Sequence, residues 1–175
     1  VDGQEYSCDF MVNGEILRVV KKFQSRKFGL YKGFYLMNKE SIEKEIGLDS
    51  LKKVCSNISK SFGISDGICM VDFKINNGIK VIESSVRPGL STFIPLMYSV
   101  YGYTSLGVLV NDGFNGIPSD EGLIVHFIAD GKGKLKRFDT SKIEHLGEIH
   151  KYEDVGGEIE DNDVDHSDLV LGYII

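Results

Sequence analysis

The sequence predicts an α+β fold, an antiparallel sheet with helices packed on it. Three observations carry that prediction. The 175 residues include 20 glycines and only three prolines, a composition of many tight turns that favours sheet-rich folds over helical bundles. Asn13-Gly14 and Asn76-Asn77-Gly78 each separate two runs rich in aromatic and β-branched residues, the strongest short hairpin signal. Leu48, Leu51, Val54, Ile58 and Phe62 recur at helical steps, with Lys52, Lys53 and Lys60 off that stripe.

Taken in order, residues 5–12 (EYSCDFMV) and 15–23 (EILRVVKKF) read as the strands of a first hairpin, closed by a type I′ turn at Asn13-Gly14. Residues 24–39 read as a loop leading into another strand, with Phe28, Tyr31, Phe34 and Tyr35 spaced by Gly29 and Gly33. Residues 41–62 read as one helix, with Asp49 as its N-cap and Gly63 as its stop. Residues 67–75 (GICMVDFKI) and 79–84 (IKVIES) form a second hairpin, and 95–111 a second helix despite Gly102 and Gly107. Strands and turns follow: GLIVHFIAD, then GKLKRFD, an acidic stretch, and LVLGYII. The acids from Glu153 to Asp168 read as a solvated loop face.

A formal charge of −6 argues against a general nucleic-acid surface, while leaving room for a local basic patch that holds phosphates. No apolar run reaches the length of a membrane span. Cys8, Cys55 and Cys69 lack metal-ligand spacing and read as reduced, buried thiols of a cytoplasmic protein. The scattered His126, His145, His150 and His166 read as ordinary structural or exposed side chains. The chain opens at Val1 without Met and runs at once into a strand-like segment, as expected of a chain cut inside a larger protein. Such a cut exposes sheet edges, so self-association into a homo-oligomer is expected.

The informative stretch is 70–90, MVDFKINNGIKVIESSVRPGL. Each strand of its hairpin carries one carboxylate, Asp72 and Glu83, and antiparallel pairing can set them side by side on one face. Like charges so close are tolerable with a cation between them, and hard oxygen ligands suit magnesium or manganese. Ser85 adds a hydroxyl and Arg87 a rigid bidentate donor, suited to a place where metal and phosphate meet. The plainer alternative is a surface pair neutralised by Lys74, Lys80 or Arg87.

Segment 67–91 resembles the signature of the ATP-grasp superfamily, in particular the branch of the carbamoyl-phosphate synthase large chain and biotin carboxylase. There a strand with an acidic or amide residue precedes a strand reading Glu-x-Asn-x-Arg. Carried over by position, the resemblance makes Asp72, Glu83 and Ser85 metal ligands and Arg87 the catalytic arginine facing phosphate. Ser85 departs from the usual Asn and has a shorter reach. EYSCDF resembles a family strand whose Glu, here Glu5, lies near the nucleotide. Gly29-Leu30-Tyr31-Lys32-Gly33 takes the place of a loop near the ATP phosphates, with Tyr31 where relatives often have His. Among Lys21, Lys22, Arg26 and Lys27, most read as a solvated loop; Lys22 joins Glu5, Tyr31 and Lys32 as a cofactor-binding candidate.

The resemblance implies the C-terminal part of an ATP-grasp domain over 1–117 and a small β-rich C-terminal subdomain over 118–175. For the intact protein it implies an ATP- and Mg2+- (or Mn2+-) dependent ligase. A carboxylate or bicarbonate would become an acyl phosphate and pass to an amine or other nucleophile. Its partners would be those small molecules, not nucleic acid or membrane. The other reading of the same resemblance is a non-catalytic nucleotide- or metal-binding module. The glycine-rich loop and phosphate lysine are expected outside this chain, which alone is expected to be inactive.

Overall fold

The computed structural model describes residues 2–25, 30–89, 92–110, 114–152, 155–159 and 169–175. Arg26, Lys27, Phe28, Gly29, Leu90, Asn111, His166 and most of the acidic stretch after Tyr152 lie outside the described residues. The chain forms two compact units, Val1–Lys22 with Tyr35–Gly122, and Phe23–Phe34 with Leu123–Ile175.

In the first unit, β1 (Gln4–Met11), β2 (Ile16–Gln24, as far as Lys22), β4 (Ile68–Ile75) and β5 (Ile79–Ser85) form an antiparallel run in the order β5-β4-β1-β2. The residues of β1 alternate in character, and the register extends the alternation across its neighbours. Tyr6, Cys8 and Phe10 share a face with Val71, Phe73 and Cys69 of β4 and with Val19 of β2. That face is the main core, where α1 (Lys39–Glu45) and α2 (Leu48–Phe62) bring Ile42, Leu51 and Cys55 onto it. The other face carries Glu5, Ser7 and Asp9 beside Lys22, Val20 and Arg18 on one side and Lys74, Asp72 and Met70 on the other.

Alternation of this kind ordinarily marks a half-solvated strand, yet here both faces are buried: Glu5, Ser7, Asp9, Arg18, Lys22 and Asp72 are all removed from solvent. At the Asp9 end, α3 (Phe93–Tyr101) and α4 (Ser105–Val110) lie against this polar face. The Phe93 ring sits under the Arg18 guanidinium and Ser105 reaches Asp9.

Four local expectations change in this unit. The helix expected over 41–62 is two helices, broken at Ile46-Gly47, where Gly47 has φ 84°. The N-cap of α2 is therefore Gly47 and not Asp49, which lies in the first turn and faces the helix dipole favourably. Asn38 caps α1, its side chain accepting from Ser41 N at 2.8 Å. Gly63 closes α2 in the left-handed region, φ 67°, as expected of a C-terminal glycine.

The helix expected over 95–111 is likewise α3 and α4, because Gly102 takes φ 74° and accepts no further helical turn. The first hairpin is not type I′. Asn13 keeps a negative φ and only Gly14 is left-handed, with Gly14 N bonded to Met11 O and Met11 N to Glu15 O, both at 2.8 Å. This is a type I turn closed by a left-handed glycine, the usual three-residue hairpin loop.

The second unit is built on β6 (Gly122–Ile128, from Leu123), β10 (Val170–Ile174) and β8 (Ile149–Lys151), paired antiparallel in that order. The first part of β3 (Tyr31–Leu36) runs beside β6, and Gly33 is close enough that a Cβ there would lie 2.1 Å from Ile124 O. Leu30, Ile159, Leu169 and Leu171 form its core. The strand expected at GKLKRFD reduces to β7 (Gly133–Lys134), paired with β9 (Glu158–Ile159), since charged Lys136 and Arg137 leave no continuous apolar face. Among the described residues no helix is long and apolar enough to cross a membrane.

Leu51 is fully buried between α2 and the sheet, while Lys52 points to solvent. Urea unfolding of this chain should show Leu51→Ala losing about 2–5 kcal/mol. Lys52→Ala should stay within about 0.5 kcal/mol, and equal losses would contradict the placement of α2.

Candidate functional site

The polar face of the first unit gathers the candidate residues through strand register. Starting from the Asn76-Asn77-Gly78 loop, β4 and β5 pair Ile75 with Ile79, Lys74 with Lys80 and Phe73 with Val81. Continued evenly, that register would set Glu83 opposite Val71, on the face away from Asp72. A β-bulge after Phe73 leaves Ile82 unpaired and restores Asp72 directly opposite Glu83, with Ser85 opposite Met70. Asp72, Glu83 and Ser85 therefore share one face. Glu83, on the outermost strand of this run, is exposed, and Asp72 is 9% exposed.

The cation beside Asp72 is Lys22, not Lys74, Lys80 or Arg87. Lys22 Nζ bonds Asp72 Oδ2 and lies 3.0 Å from Glu5 Oε1. Lys21 and Lys22 both lie in β2, within the strand expected over 15–23, and Lys22 is not solvated but only 5% exposed. Lys21 points to the other face, where Glu45 Oε2 accepts from both Lys21 Nζ and Tyr6 Oη at 2.8 Å. Burial and that carboxylate push the Tyr6 hydroxyl well above the usual tyrosine range, while Lys21 and Tyr6 hold Glu45 below its usual value against the opposing effect of burial.

Two oxygens on the candidate face have no hydrogen-bond partner although buried, Asp72 Oδ1 and Ser85 Oγ; among the described residues the only other such side-chain atom is Ser59 Oγ on α2. Orphaned buried acceptors are rare and ask for an occupant. A carboxylate oxygen and a hydroxyl, with the Glu83 carboxylate across the ladder, form a hard donor set that fits magnesium or manganese.

Arg87 lies past the end of β5, exposed, its Nη1 donating to Pro88 O at 3.1 Å. The turn that carries it is fastened from behind. Gly89 N donates to Asp9 Oδ1 at 2.8 Å, and the same carboxylate accepts from Arg18 Nε (2.9 Å) and Nη2 (2.8 Å) and from Ser105 Oγ (2.6 Å). Arg18 and Asp9 are both fully buried. A Cβ at position 89 would meet Arg18 Nη2 at 2.0 Å, so only glycine allows this approach. Sequence reasoning passed over the roles of Asp9, Arg18 and Ser105, while reading Pro88-Gly89 as the turn that holds Arg87. The available signal was spacing, because Asp9 and Arg18 stand at period-two positions from Glu5 and Lys22.

Tyr31 and Lys32 open β3 and belong to the second unit, whereas Glu5, Lys22, Asp72, Glu83 and Ser85 belong to the first. Tyr31 O hydrogen-bonds His126 Nδ1 at 2.8 Å, and the His126 ring meets Phe34 edge-on at 5.2 Å. Burial lowers the His126 pKa from the usual 6.5, opposed by that backbone bond.

Arg18→Met would strand the Asp9 charge and should cost about 3–5 kcal/mol in urea unfolding. Ser105→Ala removes one of several donors and should cost about 1–3 kcal/mol; an Arg18 loss no larger than the Ser105 loss would contradict a buried ion pair.

A folded pKa below the unfolded one means that the unfolded chain binds the proton more readily. The stability contributed by neutral His126 is therefore present above pH 6.5 and is lost as pH falls from 6.5 towards the folded value. An NMR titration should place the His126 midpoint below 6.5, and a midpoint at or above it would contradict the buried, neutral ring.

No protein-family model matches the chain, and a comparison with curated proteins by sequence finds no match. Solved structures do match. An L-amino acid ligase from Bacillus licheniformis superposes with a TM-score of 0.73 at 16% identity over 99% of this chain and 48% of its own. Phosphoribosylglycinamide synthetase from Anaerococcus prevotii gives 0.62 at 20% identity, over 99% and 48%. The biotin carboxylase domain of the Hydrogenobacter thermophilus 2-oxoglutarate carboxylase, solved with MgADP, ADP and bicarbonate, gives 0.59 at 12% identity, over 98% and 40%. The chain thus spans about half the length of the first two structures. With an ATP-grasp superfamily protein from Archaeoglobus fulgidus also matched over 99% of this chain, the fold is that of roughly half an ATP-grasp protein.

Proposed function

We propose that this chain is the C-terminal part of an ATP-dependent ligase in which Asp72, Glu83 and Ser85 form the metal-binding edge of the nucleotide site. The observation that carries this reading is the orphaned, buried Oδ1 of Asp72, a residue paired with Glu83 across a bulged ladder. Its fold is shared with ligases and carboxylases, one of them solved with MgADP.

Asp72, Glu83 and Ser85 would hold a magnesium or manganese ion, whose chemistry is to offset charge on the nucleotide's phosphates. Glu5 and Lys22, buried on the same face, line the inner side of that edge. Arg87, exposed on a turn held through Gly89, would donate to a phosphoryl oxygen. Tyr31 and Lys32, which belong to the second unit, remain proposed nucleotide-binding residues on the resemblance alone. The division into 1–117 and 118–175 is retained as the proposed functional one.

In the reaction, a carboxylate oxygen attacks the γ-phosphorus of ATP and the bond to the ADP oxygen breaks. The acyl phosphate then meets an amine nitrogen, which forms the new bond to the acyl carbon as phosphate departs. The amine proton leaves to solvent or phosphate. Electrostatic stabilisation and positioning suffice for such phosphoryl transfer, and no protein nucleophile is required.

A protein carrying this chain together with the other half of the fold provides the test. With Mg2+ and ATP, thermal unfolding should rise by a few kcal/mol at roughly a hundredfold excess over the dissociation constant. Glu83→Gln should abolish most of that shift and lower ADP release by orders of magnitude. A stabilised wild type that releases no ADP with any carboxylate and amine tested favours the non-catalytic nucleotide-binding module, towards which the short Ser85 side chain points. Wild-type turnover in the Glu83 variant would overturn the site.

A further inference from the structure

We infer that Lys22 is a resident counter-ion of the metal-free site, holding Asp72 until a divalent cation takes it and then withdrawing onto Glu5. The inference rests on the proposed metal role of Asp72 and Glu83 and adds a residue that sets how tightly that site closes on its ion.

The geometry that points to it is a divided carboxylate. Asp72 Oδ2 is bonded to the Lys22 ammonium, and Asp72 Oδ1, itself buried, has no hydrogen-bond partner. Lys22 has a second carboxylate within reach, Glu5 Oε1 at 3.0 Å, and both ends of that pair are buried. The three groups occupy three neighbouring strands: Lys22 on β2 opposite Glu5 on β1, and Asp72 on β4, with Glu83 on β5 beyond it. One ammonium thus stands at the end of a diagonal of three carboxylates, Asp72 lying one pleat step from Glu5, level with Ser7.

A buried carboxylate left with no cation is costly, so Asp72 needs a partner whenever the metal is absent. Lys22 fills that need without occupying both oxygens. An ammonium and a divalent ion cannot share one carboxylate closely in a poorly screened site, because their repulsion acts over a few ångströms with little water between them. Lysine can yield where arginine would not: it is a point charge on a flexible stem, with rotatable donors that need no fixed fork. Glu5 is what makes the exchange reversible, since it keeps the ammonium paired inside the protein when Asp72 is given up. The metal-free fold is thereby stabilised at the expense of metal affinity.

The test is a titration of Mn2+ alone into this chain, read by water-proton relaxation, for wild type, Lys22→Met, Glu5→Gln and Asp72→Asn. Lys22→Met should bind Mn2+ at least about tenfold more tightly, because a competing charge is gone. It should also unfold at a lower temperature than wild type without metal, with most of the difference recovered when Mn2+ is added. Glu5→Gln, which removes the carboxylate that would receive the Lys22 ammonium, should bind more weakly than wild type, and this variant serves if Lys22→Met does not fold. Mn2+ affinity unchanged or weakened in Lys22→Met, or unchanged in Glu5→Gln, overturns the counter-ion role while Asp72→Asn still loses binding. If Asp72→Asn binds as wild type does, the metal site itself is wrong and the inference falls with it.

Discussion

The buried pair of Asp9 and Arg18 is the interaction on which the first unit depends. Neither residue reaches solvent, and the carboxylate is satisfied from four directions: twice by Arg18, once by Gly89 N and once by Ser105. Through these bonds one carboxylate joins β1, β2, the turn after β5 and α4, while the Arg18 guanidinium rests on Phe93 of α3, 4.1 Å from its ring centroid. A fully desolvated ion pair adds little net stability compared with an apolar core of the same shape. What it adds is specificity, because only one arrangement of these four segments leaves no charge unpaired. That arrangement fixes the path of the chain at Pro88-Gly89, and with it the position from which Arg87 departs.

The same sheet face then changes character along the strands. At the Asp9 end, the charges are closed off by α3 and α4 and every acceptor is used. In the other direction, two residues along at Asp72 and Glu83, level with Ser7, and four along at Glu5 and Lys22, the polar network is less complete. Asp72 keeps an unpartnered oxygen there, and the outermost carboxylate, Glu83, is exposed. One end of the face is built as structure and the other is left chemically open. Folds tolerate incomplete polar networks mainly where a ligand completes them, and that contrast within one pleated surface distinguishes a candidate site from a merely polar core.

Much of this was legible in the chain itself. The hairpins at Asn13-Gly14 and Asn76-Asn77-Gly78, the apolar stripe of α2 and its stop at Gly63 follow from local chemistry, which acts between residues near in sequence. The pairing of Asp72 with Glu83 was proposed from the hairpin alone, and the resemblance to the ATP-grasp signature singled out the same two residues. The breaks at Ile46-Gly47 and Gly102 were less legible, since a glycine inside a helical pattern is compatible with both a continued helix and a stop until packing chooses.

The sequence by itself determined the period-two alternation of β1 and β4, and hence which side chains can share a face, because pleating is a property of the strand. It also determined the residue types from which a hard-cation site could be made. Only the tertiary structure decided that both faces would be buried, that Lys22 and not Lys74, Lys80 or Arg87 would meet Asp72, and that Asp9 and Arg18 would anchor the turn before Phe93. It alone decided the bulge at Ile82 that turns Glu83 towards Asp72. It also decided that residues 23–34 would join 123–175 in one compact unit. The physical reason is the same in each case: burial and register are settled by segments far apart in sequence, and a shift of one residue exchanges the two faces of a strand.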